Sequence, residues 1–432
     1  MTTIEKIYQL YLKYPIITTD SRNIQKGSIF FALKGKNFDG NTFALDAIKQ
    51  GSIAAIVDDP NIKDEHCIHV DCVLKTLQDL STHHRRELGI KILAITGTNG
   101  KTTTKELVNV VLKKKYRVFA TKGNLNNHIG VPLTLLSLTK DIEIAVVEMG
   151  ANHPGDIELL SSIAEPDLGI ITNIGKAHLE GFVSFEGVKK TKGELYDFVA
   201  RKKGTVFFNP DNIILVELID RFELRNYSIP YGFGLESSAI DNSGKTPFLS
   251  LNVKLENTGS TINIQTTLVG NYNYENVLAA ITVGLYMGVS IDLIKDAVEN
   301  YIPSNSRSQL VKTALNTVIL DAYNANPSSL DVAIKNFALI KNQNKVVIIG
   351  EMLELGVHSI DEHKKIANLL KSVEFSTIIF IGKNFEMDSK GCLFFKDSDS
   401  CASYLIDHPI KNALVLLKGS RGVKLEKVME RL

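Results

Sequence analysis

The chain has 432 residues, of which 44% are hydrophobic and 22% charged, and its formal net charge is +1. This length is too great for one hydrophobic core, so we expect two to four domains. The balanced charge gives no indication of nucleic-acid or membrane-surface binding, and no apolar run approaches the ~20 residues of a membrane span.

The four cysteines, at positions 67, 72, 392 and 401, form no tight metal-binding pairs. So few thiols in a chain of this length are typical of a reducing cytoplasm. The first residues lack a basic segment followed by an apolar one, so no secretory signal is expected. We therefore predict a cytoplasmic protein that binds no nucleic acid and does not insert into a membrane.

Residues 1–82 are predicted to form a small α/β domain. Apolar runs indicate strands at 28–33 and 54–57, with a helical pattern at 43–48 between them. The polar cluster at 18–22, before the first strand, is equally consistent with a solvated turn. A further helical pattern at 74–88 is predicted to cross into the next domain.

Residues 83–304 alternate strand and helix patterns, which indicates a mostly parallel sheet. The predicted strands are 92–96, 117–121, 144–148, 168–173 and 205–209. Alternation with a period of two at 226–268 predicts antiparallel strands at the edge of that sheet, and 274–287 returns to a helical pattern.

The stretch 93–104 carries the clearest chemical signal in the chain. An apolar strand leads into Thr-Gly-Thr-Asn-Gly-Lys-Thr-Thr at 96–103, and a helix follows. Glycines let backbone N–H groups surround phosphate oxygens, and the helix N-terminus adds partial positive charge. Lys101 would reach the terminal phosphates and the Thr102 hydroxyl would hold Mg²⁺. Ile95 stands where the common motif has its first glycine, so this is a shortened phosphate loop.

Polar residues follow several predicted strands of the central domain. Glu148 ends one strand and His178 follows the next, at the sheet edge where ligands of parallel sheets bind. We predict both as metal ligands, although a salt bridge or a structural histidine would also fit. The amides of Asn126 and Asn127 suit a polar substrate or a simple turn. The lysines at 189, 190 and 192 resemble a solvated helix face, and nothing in the residues alone singles out Lys192.

A polar stretch at 303–306 predicts the second domain boundary. Beyond it, apolar runs at 317–321, 345–350, 377–382 and 413–417 alternate with helical patterns, which predicts a doubly wound, Rossmann-like α/β domain. Polar loops at 321–327, 350–356 and 418–422 follow three of these strands. Because parallel strands end at one sheet edge, we predict that these loops form a ligand-facing rim.

Taken together, these motifs resemble the Mur ligases, and most closely the members that add D-alanyl-D-alanine. The match spans the whole chain in order. The shortened phosphate loop, Tyr-Asn-Ala-Asn-Pro at 323–327, Gly-Glu-Met-Leu-Glu-Leu-Gly at 350–356 and Lys-Gly-Ser-Arg at 418–421 carry it. The resemblance implies three α/β domains, namely 1–82 for a UDP-linked substrate, 83–304 for ATP and 305–432 for an amino acid or dipeptide.

The resemblance also implies roles for individual residues. Lys101, His178 and Lys192 would be catalytic, and Thr102, Glu148, His178 and Lys192, with Lys192 carried as a carbamate, would bind two Mg²⁺ ions. The nucleotide would contact Gly97, Thr98, Asn99, Gly100, Lys101, Thr102, Thr103, Asn273, Asn276, Arg307 and Asp321. Substrates would contact Thr19, Asp20, Ser21, Arg22, Lys34, Gly35, Asn126, Asn127, Tyr323, Asn324, Asn326, Lys418, Ser420 and Arg421.

The implied reaction is the ATP-dependent joining of UDP-N-acetylmuramoyl-tripeptide to D-alanyl-D-alanine through an acyl phosphate, by a monomer. The third residue of the tripeptide, diaminopimelate or lysine, stays open. Tyr272 departs from the family pattern, because many relatives have histidine before the Asn-x-x-Asn motif, and Leu320 replaces the first acid of an Asp-Asp pair. Another Mur ligase, a folylpolyglutamate synthase, or a nucleotide-dependent switch without ligase chemistry would also fit the phosphate loop.

Overall fold

Three largely parallel β-sheets follow one another along the chain, each flanked by helices. The computed structural model describes residues 2–175, 179–182, 184–240, 246–304 and 306–432. The sheets have four, six and six strands, and a separate three-stranded sheet and a two-stranded hairpin complete the β-structure of the described residues. The predicted mixed α/β class is therefore confirmed.

The N-terminal sheet is parallel, in the order β1-β2-β5-β6, with β3 and β4 forming a hairpin beside it. Its first helix was not predicted from the sequence. A capping box precedes this helix: the side chains of Thr2 and Glu5 each accept a hydrogen bond from the backbone N–H of the other residue. Its elements are α1 (Thr3–Lys13), β1 (Ile17–Thr18), β2 (Ile29–Phe31), β3 (Lys34–Gly35), β4 (Phe38–Asp39), α2 (Ala44–Lys49), β5 (Ala54–Val57), β6 (Cys67–His69) and α3 (Val73–Leu88).

The central sheet is entirely parallel, in the order β12-β11-β10-β7-β9-β8. Its apolar strands are buried on both faces by helices, as a parallel sheet requires. Its elements are β7 (Lys91–Thr96), α4 (Lys101–Leu112), β8 (Val118–Ala120), α5 (Gly130–Leu135), β9 (Ile144–Glu148), α6 (Asp156–Ala164), β10 (Leu168–Ile171), α7 (Leu179–Phe182), α8 (Phe185–Arg201), β11 (Thr205–Phe208), α9 (Ile213–Arg221) and β12 (Ser228–Pro230).

The prediction that residues 226–268 form antiparallel strands at the edge of this sheet is wrong about the sheet. Most of these strands form a separate antiparallel sheet. Only β12 extends the central sheet, and it pairs parallel to β11. The chain then turns at Gly232 and Gly234, both with positive φ. The next strands, β13 (Leu235–Ile240), β14 (Phe248–Leu255) and β15 (Thr261–Val269), form their own antiparallel sheet. The apolar face of this sheet packs in one core with α4, α10 (Tyr274–Tyr286) and α11 (Ile291–Glu299). This packing removes its apolar side chains from water more completely than a position at the edge of the central sheet would.

The C-terminal sheet has the order β16-β17-β21-β18-β19-β20, with β16 as an antiparallel edge strand. Its first long helix, α12, begins at Pro327, and the side chain of the preceding Asn326 caps it. The elements are β16 (Gln309–Lys312), β17 (Thr317–Asp321), α12 (Pro327–Leu339), β18 (Lys345–Gly350), α13 (Ser359–Lys371), β19 (Thr377–Ile381), β20 (Leu393–Phe395), α14 (Ser398–Asp407), β21 (Leu414–Lys418) and α15 (Glu426–Met429).

Helix α3 joins the first sheet to the second, as predicted. Arg85 Nε donates 2.9 Å to the carbonyl oxygen of Ala164 at the end of α6, and a ring nitrogen of His84 lies 2.9 Å from the carbonyl oxygen of Leu138. These bonds satisfy carbonyls that the neighbouring elements leave open. None of the described helices is long and apolar enough to cross a bilayer.

Candidate active site

The turn between β7 and α4 has the backbone of a phosphate loop. Gly97 and Gly100 have φ angles of 141° and 79°, which side-chain-bearing residues rarely adopt. A Cβ on Gly97 would lie 2.0 Å from Thr172 Oγ1, and one on Gly100 would lie 2.4 Å from Asn276 Oδ1. The loop therefore has room only for backbone, and it leads into the N-terminus of a twelve-residue helix. This geometry fits the phosphate chain of a nucleotide.

Lys101 is the first residue of α4 and lies back over the loop. Its Nζ donates to the carbonyl oxygens of Gly97 at 2.7 Å and Thr98 at 3.1 Å. Desolvation is the main reason that its pKa falls to about 8, while Glu148 opposes the shift and Arg307 adds to it. An incoming phosphate would exchange these carbonyls for charged oxygens, to which a lysine bonds more strongly.

The remaining loop residues are tied to the end of β10. Thr98 Oγ1 and the backbone of Gly175 bond each other, and the backbone N–H of Asn99 donates 3.0 Å to Asn173 Oδ1. Thr102 and Thr103 are buried at the start of α4. The loop is thus braced by its neighbour, which keeps its donors in place before a ligand arrives.

Glu148, at the end of β9, has the properties of a Mg²⁺ ligand. It is 2% exposed, and its Oε1 accepts 2.8 Å from Asn126 Nδ2. Its Oε2 is buried and has no hydrogen-bond partner in the described residues. A buried carboxylate oxygen that accepts no hydrogen bond fits a hard cation. In the described parts of the chain, no group of three or more His, Cys, Asp or Glu side chains is arranged so that it could hold a metal ion.

Lys105, one helical turn after Lys101, is a buried residue of the site that no sequence motif indicated. Its side chain is 1% exposed, and its Nζ donates 2.7 Å to the carbonyl oxygen of Thr121. The same Nζ lies 2.9 Å from Glu106 Oε1 and 3.8 Å from Glu148 Oε2. It supplies positive charge beside the predicted metal ligand. The four-residue spacing from Lys101 was the only signal in the sequence.

Lys192, on α8, lies in the interior of the protein. It is 2% exposed, and its Nζ is 5.9 Å from the centre of the Phe182 ring. Burial lowers its pKa well below the usual value, and the charge of Lys101 adds to this effect. The side chain is therefore not on the solvated face that a lysine-rich helix suggests. The predicted partner His178 lies outside the described residues.

The C-terminal unit meets the phosphate loop directly. Asn326 Nδ2 donates 2.8 Å to Asn99 Oδ1, although 227 residues separate them. The Arg307 guanidinium lies 3.8 Å from the centre of the Tyr323 ring, and that of Arg421 lies 5.5 Å from the same ring. The structure thus brings two arginines from this unit together on one aromatic ring, and the charge of Arg307 acts on Lys101.

Other residues predicted for this rim serve as its framework. Lys418 Nζ and Asp321 Oδ2 form a 2.5 Å ion pair between neighbouring strands, and Lys418 is buried. Ser420 Oγ accepts from the Leu353 N–H at 3.0 Å and lies 3.4 Å from the carbonyl oxygen of Ala325, so it ties three loops together. Asn324 is exposed, and its Oδ1 accepts from the next backbone N–H.

The predicted nucleotide-side asparagines also bond within the protein. Asn273 Nδ2 donates 2.9 Å to the carbonyl oxygen of Val269, and its Oδ1 accepts from Asn276. Asn276 Oδ1 accepts 3.1 Å from Thr104 Oγ1 and lies against Gly100. Asn127 caps the start of α5 through two backbone N–H groups. These amides shape the surroundings of the loop.

The N-terminal candidates stay together on their own unit. Arg22 and Asp20 form a two-point ion pair at 2.8 Å that lowers the pKa of Asp20 to about 2. Lys34 Nζ lies 2.9 Å from Asp58 Oδ1. Gly35 lies against the Phe38 ring, where a Cβ would clash at 2.3 Å. Thr19 and Ser21 are half-buried beside this pair.

A braced phosphate loop, a strand-end carboxylate and a second α/β unit facing them define a nucleotide-binding protein of the phosphate-loop class. Family comparisons define it further. The family description "Mur ligase family, catalytic domain" matches residues 13–96, "Mur ligase middle domain" matches 95–284, and "Mur ligase, glutamate ligase domain" matches 306–421.

Individual relatives agree with these matches. A UDP-N-acetylmuramoyl-tripeptide–D-alanyl-D-alanine ligase of Bacillus subtilis is 32% identical, over 96% of this chain and 92% of its own. A crystal structure of MurF from Acinetobacter baumannii has a TM-score of 0.86 and 30% identity, covering 96% and 92% of the two chains. A MurF ligase from Thermotoga maritima in complex with ADP has a TM-score of 0.85 and 27% identity, covering 100% and 98%. The chain belongs to the Mur ligase family.

Proposed function

We propose that this chain is the ligase that joins D-alanyl-D-alanine to UDP-N-acetylmuramoyl-tripeptide in peptidoglycan precursor synthesis. The observation that carries the proposal is the contact of the C-terminal rim with the phosphate loop, through Asn326 and Asn99. A switch needs only the loop, whereas a ligase must bring an acceptor to the activated donor. The names of the relatives and the rim motifs favour this ligase over a Mur ligase of an earlier step and over a folylpolyglutamate synthase.

The residues suit each step of such a reaction. The tripeptide carboxylate attacks the γ-phosphorus of ATP, and ADP leaves. The dipeptide amine then attacks the acyl carbon, loses a proton, and phosphate leaves. Two anions meet in the first step, and Lys101 with Arg307 would reduce their repulsion. Mg²⁺, held by Glu148 and the Thr102 hydroxyl, would supply further positive charge to the phosphates.

We further propose that Lys192 carries a carbamate. CO₂ adds to a neutral amine with loss of a proton, and the lowered pKa of Lys192 favours that neutral form. The product is an anion whose hard oxygens suit Mg²⁺. Its neighbour Lys101 would be a favourable counter-charge for the anion, whereas it repels the ammonium form. A second Mg²⁺ would be held here with His178.

The three units would divide the substrates, with 1–82 holding the UDP end, 83–304 the ATP and 305–432 the dipeptide. The exposed Asp20–Arg22 pair and Lys34 offer charged and hydrogen-bonding groups to a diphosphate sugar. All three units come from one chain, so we propose a monomer. The ATP and nucleotide-sugar substrates and the four free thiols are consistent with the cytoplasm.

Product analysis tests the proposed function. The purified chain is incubated with Mg·ATP, UDP-N-acetylmuramoyl-tripeptide and D-alanyl-D-alanine, and the products are identified by mass spectrometry. We expect the UDP-linked pentapeptide and ADP, with diaminopimelate- and lysine-containing tripeptides compared side by side. Single D-alanine or D-glutamate in place of the dipeptide is the control. Equal ligation of a single amino acid would favour one of the other Mur ligases.

A further inference from the structure

Tyr272 connects the central unit to the C-terminal unit. It lies in a short turn at 271–273, between β15 and α10, and its hydroxyl is 2.8 Å from Ser308 Oγ. Ser308 directly precedes β16, the first strand of the C-terminal sheet. The ring of Tyr272 packs on Gly270, where a Cβ would lie 2.4 Å from it. Gly270, with a φ of 86°, therefore leaves the space that the tyrosine ring occupies.

The backbone at this junction has an unfavourable conformation. Ser306 and Ser308 have φ angles of 54° and 47°, in the left-handed region that residues with a side chain seldom adopt. Such a conformation is unfavourable and persists only when its surroundings hold it. Ser308 is buried, and its hydroxyl bond to Tyr272 is a contact that holds it there.

Arg307 lies between these two serines. Its guanidinium covers the Tyr323 ring at 3.8 Å, and its charge acts on Lys101. Its Nε is buried and has no hydrogen-bond partner within the described part of the chain. The backbone of 306–308 sets the direction in which the Arg307 side chain leaves the chain, and the Tyr323 ring holds the guanidinium at its far end.

We propose that the Tyr272–Ser308 hydroxyl pair, here called the hinge latch, is a positioning element that orients Arg307 toward the phosphate transferred on the loop. The inference rests on the proposed ligase function and adds to it a role for a residue that departs from the family pattern. Burial, together with the nearby Asp321 carboxylate, raises the pKa of Tyr272, so its hydroxyl keeps its proton across the physiological range. The Tyr272 hydroxyl can therefore donate a hydrogen bond throughout that range.

The chain offers a matched control for removing the latch. Tyr274 OH lies 2.7 Å from Ser237 Oγ, a second tyrosine–serine pair that stays within the central unit. Tyr272→Phe and Tyr274→Phe each remove one hydroxyl and one such bond, but only the first lies between two units. Both proteins are compared with the wild type by circular dichroism melting and by steady-state ligation kinetics.

We expect Tyr272→Phe and Ser308→Ala each to lower kcat by about 3- to 10-fold, since one bond between neutral groups is worth about a 2- to 12-fold change in an equilibrium. The KM for D-alanyl-D-alanine should stay within about twofold, because the latch acts on the phosphate side. The kcat of the Tyr272→Phe, Ser308→Ala double variant should be no lower than that of either single variant, because both substitutions remove the same hydrogen bond. Tyr274→Phe should keep the wild-type kcat.

An Arg307→Ala background separates positioning from general destabilisation. If the latch acts through Arg307, Tyr272→Phe should change kcat by less than about 1.5-fold in that background. If Tyr272→Phe lowers kcat as much in the Arg307→Ala background as it does in the wild type, the inference is overturned. A wild-type kcat for Tyr272→Phe alone would also overturn it, and both results would leave the proposed function intact. A wild-type chain that binds Mg·ATP but forms no pentapeptide would instead contradict the proposed function and, with it, the latch.

Discussion

Replacing His363 with leucine should destabilise the C-terminal unit in a pH-dependent way. His363, on α13, is fully buried, and its Nε2 accepts 2.9 Å from the backbone N–H of Met352. The ring proton is therefore on Nδ1, which donates 2.7 Å to the carbonyl oxygen of Ser359. His363 thus anchors the loop at 350–356, which belongs to the predicted rim.

The size of the effect follows from this geometry. Leucine leaves the buried N–H of Met352 without its acceptor, which should cost about 1–3 kcal/mol of unfolding free energy at pH 7.5. Burial is the main reason that the pKa of His363 is lowered. The bond to the Ser359 carbonyl opposes this shift, as do the charges of Glu351, Asp388 and Glu362. A protonated ring would direct an N–H at the N–H of Met352.

The sign of the pH dependence is fixed by this lowered pKa. Between the folded pKa and the unfolded value of about 6.5, the unfolded chain binds more protons, so the wild type loses stability as the pH falls. The leucine variant has no such group. The stability difference between the two proteins should therefore narrow below pH 6.5, by at most about 1.4 kcal/mol per pH unit, and stay constant above pH 7.5.

Circular dichroism melting between pH 5 and 8 measures this difference, since the chain has no tryptophan to report by fluorescence. Hydrogen exchange at 350–356 localises the effect. His408→Leu is the control, because His408 is exposed on the same unit. A His363→Leu protein as stable as the wild type at pH 7.5, or a difference that widens as the pH falls, would refute the reasoning.

Three lysine substitutions test the central site. Lys101→Ala should abolish ligation while leaving the melting temperature within a few degrees, and near-normal turnover would contradict the phosphate-loop assignment. Lys192→Ala should lose ligation that acetate, but not bicarbonate, partly restores, because acetate can supply the missing oxygen ligands; full activity without acetate would exclude the carbamate. Lys105→Met should lower the unfolding free energy by about 3–5 kcal/mol, measured by urea denaturation, because it leaves Glu148 and Glu106 without their buried cation. A decrease in unfolding free energy of less than about 1 kcal/mol would show that Lys105 is not needed to balance the charges of Glu148 and Glu106.

The parts of the site that are contiguous in sequence could be predicted from it. A phosphate loop needs glycines, a lysine and the start of a helix in one short segment. Residues 96–103 contain all of these, so the loop could be identified without knowledge of distant contacts. Glu148 could be placed because a strand-end residue of a parallel sheet faces the same edge as its neighbours. Lys105 could not, since its burial depends on the packing of α4 against Thr121 and Glu148.

Polar residues in strand-end loops can bind a ligand or support the loop itself. Asn127, Asn276 and Ser420 were predicted as ligand contacts, and the structure uses their side chains to cap a helix, support Gly100 and join loops. An amide or a hydroxyl satisfies backbone groups as well as it binds a substrate, so residue type alone does not distinguish the two. Their roles as ligand contacts stay predictions.

The period-two pattern at 226–268 identified strands but not their partners. Alternation indicates that one face is buried, and it does not say against what. The three strands pack against α4, which lies far earlier in the chain, and against α10 and α11, which follow them. The same limit applies to Tyr272, whose partner Ser308 lies 36 residues further on.

Phosphate release tests the central claim most directly. The chain is mixed with Mg·ATP alone, with each of UDP-N-acetylmuramoyl-tripeptide and D-alanyl-D-alanine separately, and with both. A ligase that acts through an acyl phosphate should release phosphate continuously only with both substrates, one phosphate for each pentapeptide formed. Continuous release with ATP alone, at the rate seen with both substrates, would contradict the account and favour a nucleotide switch.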